Sequence, residues 1–171
     1  MNVHTFPVRL RTAIGGVPSA CPSRHVSKAA AHDPRWPRIE AALAALRANG
    51  WYAVRIVDAE CGAGTLLLQA LAEARWLGFT AIEGRGIDRS PLLIGRARAA
   101  AHRIVDPAIS VDFEVADMVV ALRDEQYLPA DIVICHDLAR DRRPEAAHAL
   151  RNAGRIVIAD DPACPVRSIA A

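Results

Sequence analysis

Two glycines follow a short apolar run that ends in an acidic residue, and this spacing could cradle a polar ligand. The run Val54–Asp58 predicts a buried strand, and Gly62 and Gly64 come shortly after it. Glycine is needed where a backbone must turn tightly or pass close to a ligand. The helix predicted after Gly64 would present unpaired N–H groups and the positive end of its dipole there, which suits a polar or anionic ligand.

Acidic residues recur at the ends of the next two predicted strands. Asp88 ends the run that begins at Ala81, and Asp117 follows the run Ser110–Val115. Strands that alternate with helices imply βαβ units and a parallel sheet, in which all strands end on one side. We therefore expect these acids to converge on one crevice beyond the carboxyl ends of the strands, where such sheets bind their ligands.

Five segments of this kind follow one another at ordinary spacing, and they are residues 54–65, 81–91, 111–118, 130–138 and 154–160. The first contains Asp-x-x-x-Gly-x-Gly, and in the second an acid is followed by a Ser-Pro pair that opens a helix. Together they resemble the motifs of the class I S-adenosylmethionine-dependent methyltransferases, over roughly residues 35 to 160. The fold class we expect is α/β, a doubly wound, mostly parallel sheet with helices on both faces. The resemblance implies about five strands in the order 3-2-1-4-5.

The resemblance also implies S-adenosyl-L-methionine as the cofactor and assigns roles to the residues at the strand ends. Asp88 would accept hydrogen bonds from both ribose hydroxyls, as a carboxylate can. Asp117 would accept one from the adenine amino group, while Met118 donates its backbone N–H to the ring. Asp58 would hold the first loop near the amino acid end of the ligand. The other residues expected to bind the cofactor are Glu60, Cys61, Gly62, Gly64, Arg89 and Cys135.

Each of these acids also has a purely structural alternative. Asp88 could be a loop acid beside a helix N-terminus, where negative charge is stabilising. Asp117 could be a helix N-cap, and Asp58 could fix its loop without touching a ligand. Cys61 and Cys135 could be small packing residues, because the chain has no C-x-x-C pair that would indicate a zinc or redox motif.

His136 and Asp137 follow the fourth predicted strand and are the candidate catalytic residues. Methyl transfer from a sulfonium mainly requires alignment, and a general base is needed only if the acceptor must lose a proton. A histidine could act as that base near neutral pH, whereas the alternative is a pocket-lining pair without a catalytic role. The segment Cys-His-Asp-Leu differs from the Asn/Asp-Pro-Pro-Tyr signature of amino-group methylation. We therefore expect a small-molecule acceptor and no nucleic acid, and the scattered histidines predict no metal site.

The sequence departs from the family pattern in two places. Glu60 stands where the family usually has a third glycine, and it would be strained if that position needs a positive φ. After the fifth predicted strand only residues 161–171 remain, so we expect the C-terminal hairpin of the family to be missing. The fifth strand would then be an edge that a second copy of the chain could pair with.

Composition favours one globular domain, because the chain has 171 residues, of which 52% are hydrophobic. No apolar run approaches the ~20 residues that a membrane helix needs, and a net charge of +2 is too mild to imply a nucleic-acid or membrane partner. Residues 1–32 are basic and free of acids, and we expect a flexible segment there, a cofactor-binding domain over 33–160 and a tail over 161–171. Reduced cysteines favour a cytoplasmic location.

Three functions are compatible with these patterns. Methyl transfer from S-adenosylmethionine to an unidentified acceptor comes first. A non-catalytic module that binds a nucleoside or a protein comes second: Glu60 and the short C-terminus favour it, and Asp88 and Asp117 oppose it. A nicotinamide-dependent oxidoreductase comes third, because no glycine directly follows the first strand.

Overall fold

Helices and strands alternate along the chain in the computed structural model, which describes residues 27–136 and 144–160. The helices are α1 (Lys28–Ala31), α2 (Trp36–Ala48), α3 (Thr65–Trp76), α4 (Pro91–Ala101), α5 (Met118–Glu125) and α6 (Pro144–Ala153). The strands are β1 (Ala53–Asp58), β2 (Ala81–Asp88), β3 (Ile109–Val115), β4 (Ala130–Ile134) and β5 (Gly154–Ile158).

The five strands form one parallel sheet in the order β3-β2-β1-β4-β5, so the expected α/β fold class and strand order are confirmed. The register places Asp58 between Gly86 on β2 and Ile134 on β4. Asp88 lies opposite Val115 on β3. The acid-bearing ends of β1 and β2 therefore lie at one edge of the sheet, beside the start of the segment that leads from β3 to Asp117.

Helices cover both faces of the sheet because successive residues of a strand point to opposite sides. Ile56 of β1 packs in the cluster that contains the buried residues of α2, α3 and α4. The next residue, Val57, packs in a second cluster with the buried residues of α5 and α6. Strand β1 thus contributes apolar side chains to two cores, one on each face of the sheet.

Helix α1 was not predicted from the sequence. It is short and alanine-rich, and it begins after Ser27, whose hydroxyl accepts a hydrogen bond from the backbone N–H of Ala30. The backbone N–H of Ser27 donates to Oε1 of Gln69 on α3 at 3.0 Å, so this short helix is attached to the domain. The rest of the segment expected to be flexible and the expected tail, 161–171, lie outside the described residues.

Strand β5 pairs with β4, and no other strand among the described residues lies on its outer side. The sequence predicted β4 over Asp131–Cys135 and β5 over Arg155–Ala159, and each strand begins and ends one residue earlier than that. Within residues 27–136 and 144–160, no helix is long and apolar enough to cross a membrane.

Candidate functional site

The loop between β1 and α3 turns through two glycines with left-handed backbone conformations. Gly62 has a φ of 54° and Gly64 a φ of 76°, values that residues other than glycine rarely adopt. The N–H of Gly64 donates to the carbonyl of Cys61 at 2.8 Å, and the N–H of Cys61 donates to the carbonyl of Ile87 at 2.9 Å. A Cβ at Gly64 would lie 2.8 Å from the ring of Phe113. Both the turn and the space therefore require glycine at this position.

Asp88 at the end of β2 braces this glycine loop. Its Oδ2 accepts a hydrogen bond from the N–H of Gly62 at 2.9 Å, and its Oδ1 accepts one from the N–H of Ser90 at 2.8 Å. Ser90 is in turn the N-cap of α4. A carboxylate can accept about four hydrogen bonds, so these two leave capacity for ligand hydroxyls. Asp88 therefore has the structural role considered for it above, that of an acid beside a helix N-terminus.

Asp117 caps the N-terminus of α5, as the alternative reading of the sequence described. Its Oδ1 accepts a hydrogen bond from the N–H of Val119 at 2.9 Å, and its Oδ2 forms an ion pair with Nη2 of Arg89. The Arg89 side chain is 65% exposed, whereas Met118 is buried. The carboxylate of Asp117 is therefore already bound by the protein. An amino group that approached it would have to share the carboxylate with Arg89 or displace Arg89.

Asp58 is buried at the end of β1, and its Oδ1 has no hydrogen-bond partner among the described residues. Burial raises the pKa of this carboxyl to about 6, although the positive charge of Arg35 and a hydrogen bond from the backbone N–H of Glu60 oppose that rise. A buried acceptor without a partner is costly unless a donor or a cation completes it. This orphaned oxygen fits the ammonium group of a ligand such as S-adenosylmethionine.

Arg35 is a residue of this region that the sequence did not reveal. It is 3% exposed, and its guanidinium binds Asp33 through Nε at 2.9 Å and through Nη2 at 2.8 Å. Nη1 donates to the carbonyl of Cys135 at 3.1 Å, and Nε lies 3.0 Å from Oδ1 of Asp160. Only the local Asp-Pro-Arg run could have suggested the Asp33 contact, and no local signal predicts the other two.

His136 lies just beyond β4, with its Nδ1 3.0 Å from Oδ2 of Asp160, which follows β5. The His136 side chain is 47% exposed, so its ring can be reached from solvent. Asp160 was not predicted as a site residue, and its only sequence signal is that it follows the fifth strand. The other candidate, Asp137, lies outside the described residues.

The remaining predicted residues follow the ends of β1 and β4. Glu60 is exposed, and no described residue other than glycine has a positive φ, so the strain considered for Glu60 is absent. Cys61 and Cys135 are both buried. Burial raises the pKa of the Cys61 thiol well above its ordinary value, which keeps it protonated and favours a packing role. Among the described residues, no group of three His, Cys, Asp or Glu side chains is arranged to hold a metal ion.

Comparison with known proteins gives structural matches only. No protein-family model matches the sequence, and no curated protein matches it. WbdD gives a TM-score of 0.54 at 20% identity, over 72% of this chain and 28% of WbdD. Magnesium protoporphyrin IX methyltransferase (ChlM) from Synechocystis PCC 6803, with bound SAH, gives 0.50 at 19% identity, over 74% of this chain and 55% of ChlM. HI0767 from Haemophilus influenzae, which is designated a methylase, gives 0.50 at 14% identity, over 68% and 64%.

These identities are low, so the likeness concerns the fold. The chain spans between 28% and 64% of the length of these three proteins. The resemblance inferred from the five motifs is confirmed at this level: the chain has the Rossmann-like fold of the class I S-adenosylmethionine-dependent methyltransferases.

Proposed function

We propose that this protein binds S-adenosyl-L-methionine beyond the ends of β1, β2 and β3 and transfers its methyl group to a small-molecule acceptor. The observation that carries the proposal is the glycine loop, held open by the 2.9 Å hydrogen bond from Gly62 to Asp88. Such a loop at the end of the first strand, facing the start of a helix, is a ligand-binding arrangement in open α/β sheets. ChlM, which shares the fold, contains bound SAH.

The chain offers polar groups for each part of this cofactor. Asp88 would accept hydrogen bonds from the ribose hydroxyls. Asp117 and the backbone of Met118 would bind the adenine. The unpartnered Oδ1 of Asp58 would accept from the ammonium group at the amino acid end. The residues proposed to border the ligand are Glu60, Cys61, Gly62, Gly64, Arg89 and Cys135. When bound, S-adenosylmethionine supplies a methyl group that its sulfonium has already activated.

On the acceptor side we propose His136 and Asp137 as the groups nearest the reaction. His136 stands next to the end of β1, since β4 pairs with β1 and Asp58 lies opposite Ile134. Its exposed ring can contact an acceptor that enters from solvent. A small molecule is the proposed acceptor, and neither nucleic acid nor membrane is a proposed partner.

Calorimetric titration with S-adenosylhomocysteine tests the cofactor site. We expect micromolar binding, or about −8 kcal/mol, for the unmodified protein, and binding at least roughly tenfold weaker for Asp88→Asn, because the amide keeps one acceptor oxygen but replaces the other with a donor, so that one bracing hydrogen bond is lost. Asp124→Asn is the matched control, because Asp124 is exposed on α5 and distant in sequence from the loop. An unmodified protein that releases no heat at millimolar ligand would contradict the proposal.

A non-catalytic nucleoside-binding module is the second candidate. It is favoured by one observation, namely that Asp58, which would contact the amino acid end of S-adenosylmethionine, is buried. Adenosine separates the two candidates, because it lacks the amino acid end that Asp58 would contact. Adenosine that binds as tightly as S-adenosylhomocysteine would favour the module, and a clear loss of affinity would favour the methyltransferase site.

We also propose that the outer side of β5, on which none of the described strands lies, supports a homodimer. Unpaired N–H and C=O groups along an edge strand are a template for pairing with another strand. Sedimentation velocity over a range of protein concentrations measures this directly. A single monomer species up to the highest concentration would rule out the dimer.

A further inference from the structure

We infer that His136 and Asp160 form an acid–base dyad that removes a proton from the acceptor, so that the acceptor atom is a hydroxyl oxygen or the nitrogen of a protonated amine. This inference rests on the proposed methyl transfer and adds the class of acceptor to it. In the dyad His136 is the base, and Asp160 is a positioning residue that acts through His136.

The Asp160 carboxylate is held from two sides. Its Oδ2 lies 3.0 Å from Nδ1 of His136, and its Oδ1 lies 3.0 Å from Nε of Arg35. Arg35 is itself fixed, because it is buried and bound to Asp33 and to the carbonyl of Cys135. A carboxylate anchored in this way can orient an imidazole that would otherwise rotate freely at the surface.

The contact with Asp160 determines which ring nitrogen of His136 can act. When Nδ1 carries the hydrogen and donates it to Asp160, Nε2 is left as the unprotonated acceptor. The half-exposed ring makes Nε2 accessible to a ligand. A base of this kind is needed for an acceptor atom that bears a proton, and it would be superfluous for a thioether.

The proton transfer is balanced within the chain's own groups and water. The O–H or N–H bond of the acceptor breaks, its proton moves to Nε2 of His136, and the electron pair stays on the oxygen or nitrogen. That electron pair would then form the bond to the methyl carbon as the carbon–sulfur bond of S-adenosylmethionine breaks, with its electrons staying on sulfur, and S-adenosylhomocysteine would leave. The imidazolium returns its proton to water. The charged groups near the ring, among the residues that the structure describes, are Asp33, Asp58, Asp160 and Arg35.

The tautomer of His136 tests the dyad in the unmodified protein. Long-range ¹H–¹⁵N correlation spectra report which ring nitrogen is protonated, and the His136→Gln variant identifies the resonance. We expect the neutral ring of His136 to be mainly the Nδ1–H form, and we expect the Asp160→Asn variant to shift it towards Nε2–H. A mainly Nε2–H ring in the unmodified protein would overturn the dyad.

Chemical reactivity gives a second readout. Diethyl pyrocarbonate acylates unprotonated imidazole nitrogen, and peptide mass spectrometry resolves the rate at each histidine. We expect Asp160→Asn to slow modification of His136 roughly tenfold and to leave His102, exposed at the end of α4, unchanged. Equal rates at His136 in the two proteins would count against a positioning role. If Asp160→Asn folds poorly, the tautomer of the unmodified protein still decides.

The acceptor class is tested with catechol, benzylamine and methyl phenyl sulfide as probes, by following consumption of S-adenosylmethionine. Turnover with the hydroxyl or the amine supports the inference. Turnover with the thioether alone, or with none of the three, overturns the acceptor assignment. The tautomer and acylation measurements use no cofactor, so they remain valid if S-adenosylhomocysteine fails to bind. Failure of S-adenosylhomocysteine to bind would therefore contradict the proposed function. A His136 ring without a hydrogen on Nδ1 would contradict the dyad alone.

Discussion

At the scale of single residues, Asp58 shows a conflict between stability and function. Its carboxyl is fully buried, and one of its oxygens has no partner among the described residues. Burial raises its pKa to about 6, so folding transfers the ionised group out of water at neutral pH at a net free-energy cost. A residue that only fixed a loop would not need this charge, whereas a ligand ammonium would use it.

Asp58→Asn should raise the free energy of unfolding at pH 7 by up to about 3 kcal/mol, because a rise in pKa of two units corresponds to about that energy. The folded state binds the proton more tightly than the unfolded state. The stability that the neutral carboxyl contributes is therefore complete below about pH 4 and is lost as the pH rises through about 6. Urea unfolding at pH 4 and pH 7 measures the difference. A variant less stable than the unmodified protein at pH 7 would contradict it.

Glycine in β2 is a second residue-scale requirement. A Cβ added at Gly86 would lie 2.3 Å from Cδ1 of Phe113 and 2.9 Å from Sγ of Cys61. Gly86→Ala should therefore destabilise the protein by about 1–3 kcal/mol through overpacking. Gly95 is the matched control, since a Cβ there meets nothing within 4 Å in the exposed face of α4. Gly95→Ala should be stabilising by up to roughly 1 kcal/mol. Similar effects for both substitutions would refute this packing argument.

At the scale of elements, the site depends on how helix starts meet strand ends. The start of α5 is capped by Asp117, and the same carboxylate reaches Arg89 in the turn after β2. One exposed ion pair thus links the turn after β2 to the start of α5, which follows β3. Such a pair contributes little to stability and is easily exchanged for a ligand contact.

Arg89→Ala should tighten the binding of S-adenosylhomocysteine by about two- to fivefold, since an exposed ion pair is worth roughly 0.2–1 kcal/mol and its removal takes away one partner that competes with the adenine amino group for Asp117. The melting temperature should change little. Calorimetric titration of the variant beside the unmodified protein measures the gain. Weaker binding would mean that Arg89 itself contacts the ligand.

The sequence predicted the elements better than it predicted their contacts. Strand β2 was placed at its observed limits, Ala81–Asp88, because an acid followed by a Ser-Pro pair that opens a helix is a local signal. For the same reason Asp88 was predicted to end β2 and the two glycines to follow β1, where the structure has them. The Arg35, Asp160 and His136 contacts could not be predicted, because they join three separate elements and leave no periodic pattern in the chain.

At the scale of the whole molecule, Arg35 joins the beginning of the domain to the ends of two strands. Its Nη1 reaches the carbonyl of Cys135, 100 positions away, and its Nε reaches Asp160 beyond β5. Arg38 on α2 makes a parallel contact, donating to the carbonyl of Ala159 at 2.7 Å. The start of α2 is thereby bound to the residues that follow β4 and β5, where His136 also lies.

Arg35→Ala should lower the free energy of unfolding by about 3–5 kcal/mol, because it leaves Asp33, Asp58 and Asp160 without their shared buried counter-ion. Arg38→Ala is the comparison, and we expect a loss of about 1 kcal/mol for its single hydrogen bond to a carbonyl. Denaturant unfolding curves for the two variants provide the measurement. Equal losses would show that Arg35 acts through packing and not through its charge.

The span of the Arg35 contacts also has a kinetic consequence. Closing a loop of about a hundred residues is entropically expensive, and contacts of such separation form late in folding. During synthesis, a growing chain can assemble β1, β2 and β3 with Asp58, Asp88 and Asp117 before β5 has emerged. Asp160, which we propose orients His136, follows the fifth strand. The proposed nucleoside site would therefore be complete before the proposed base has its positioning carboxylate.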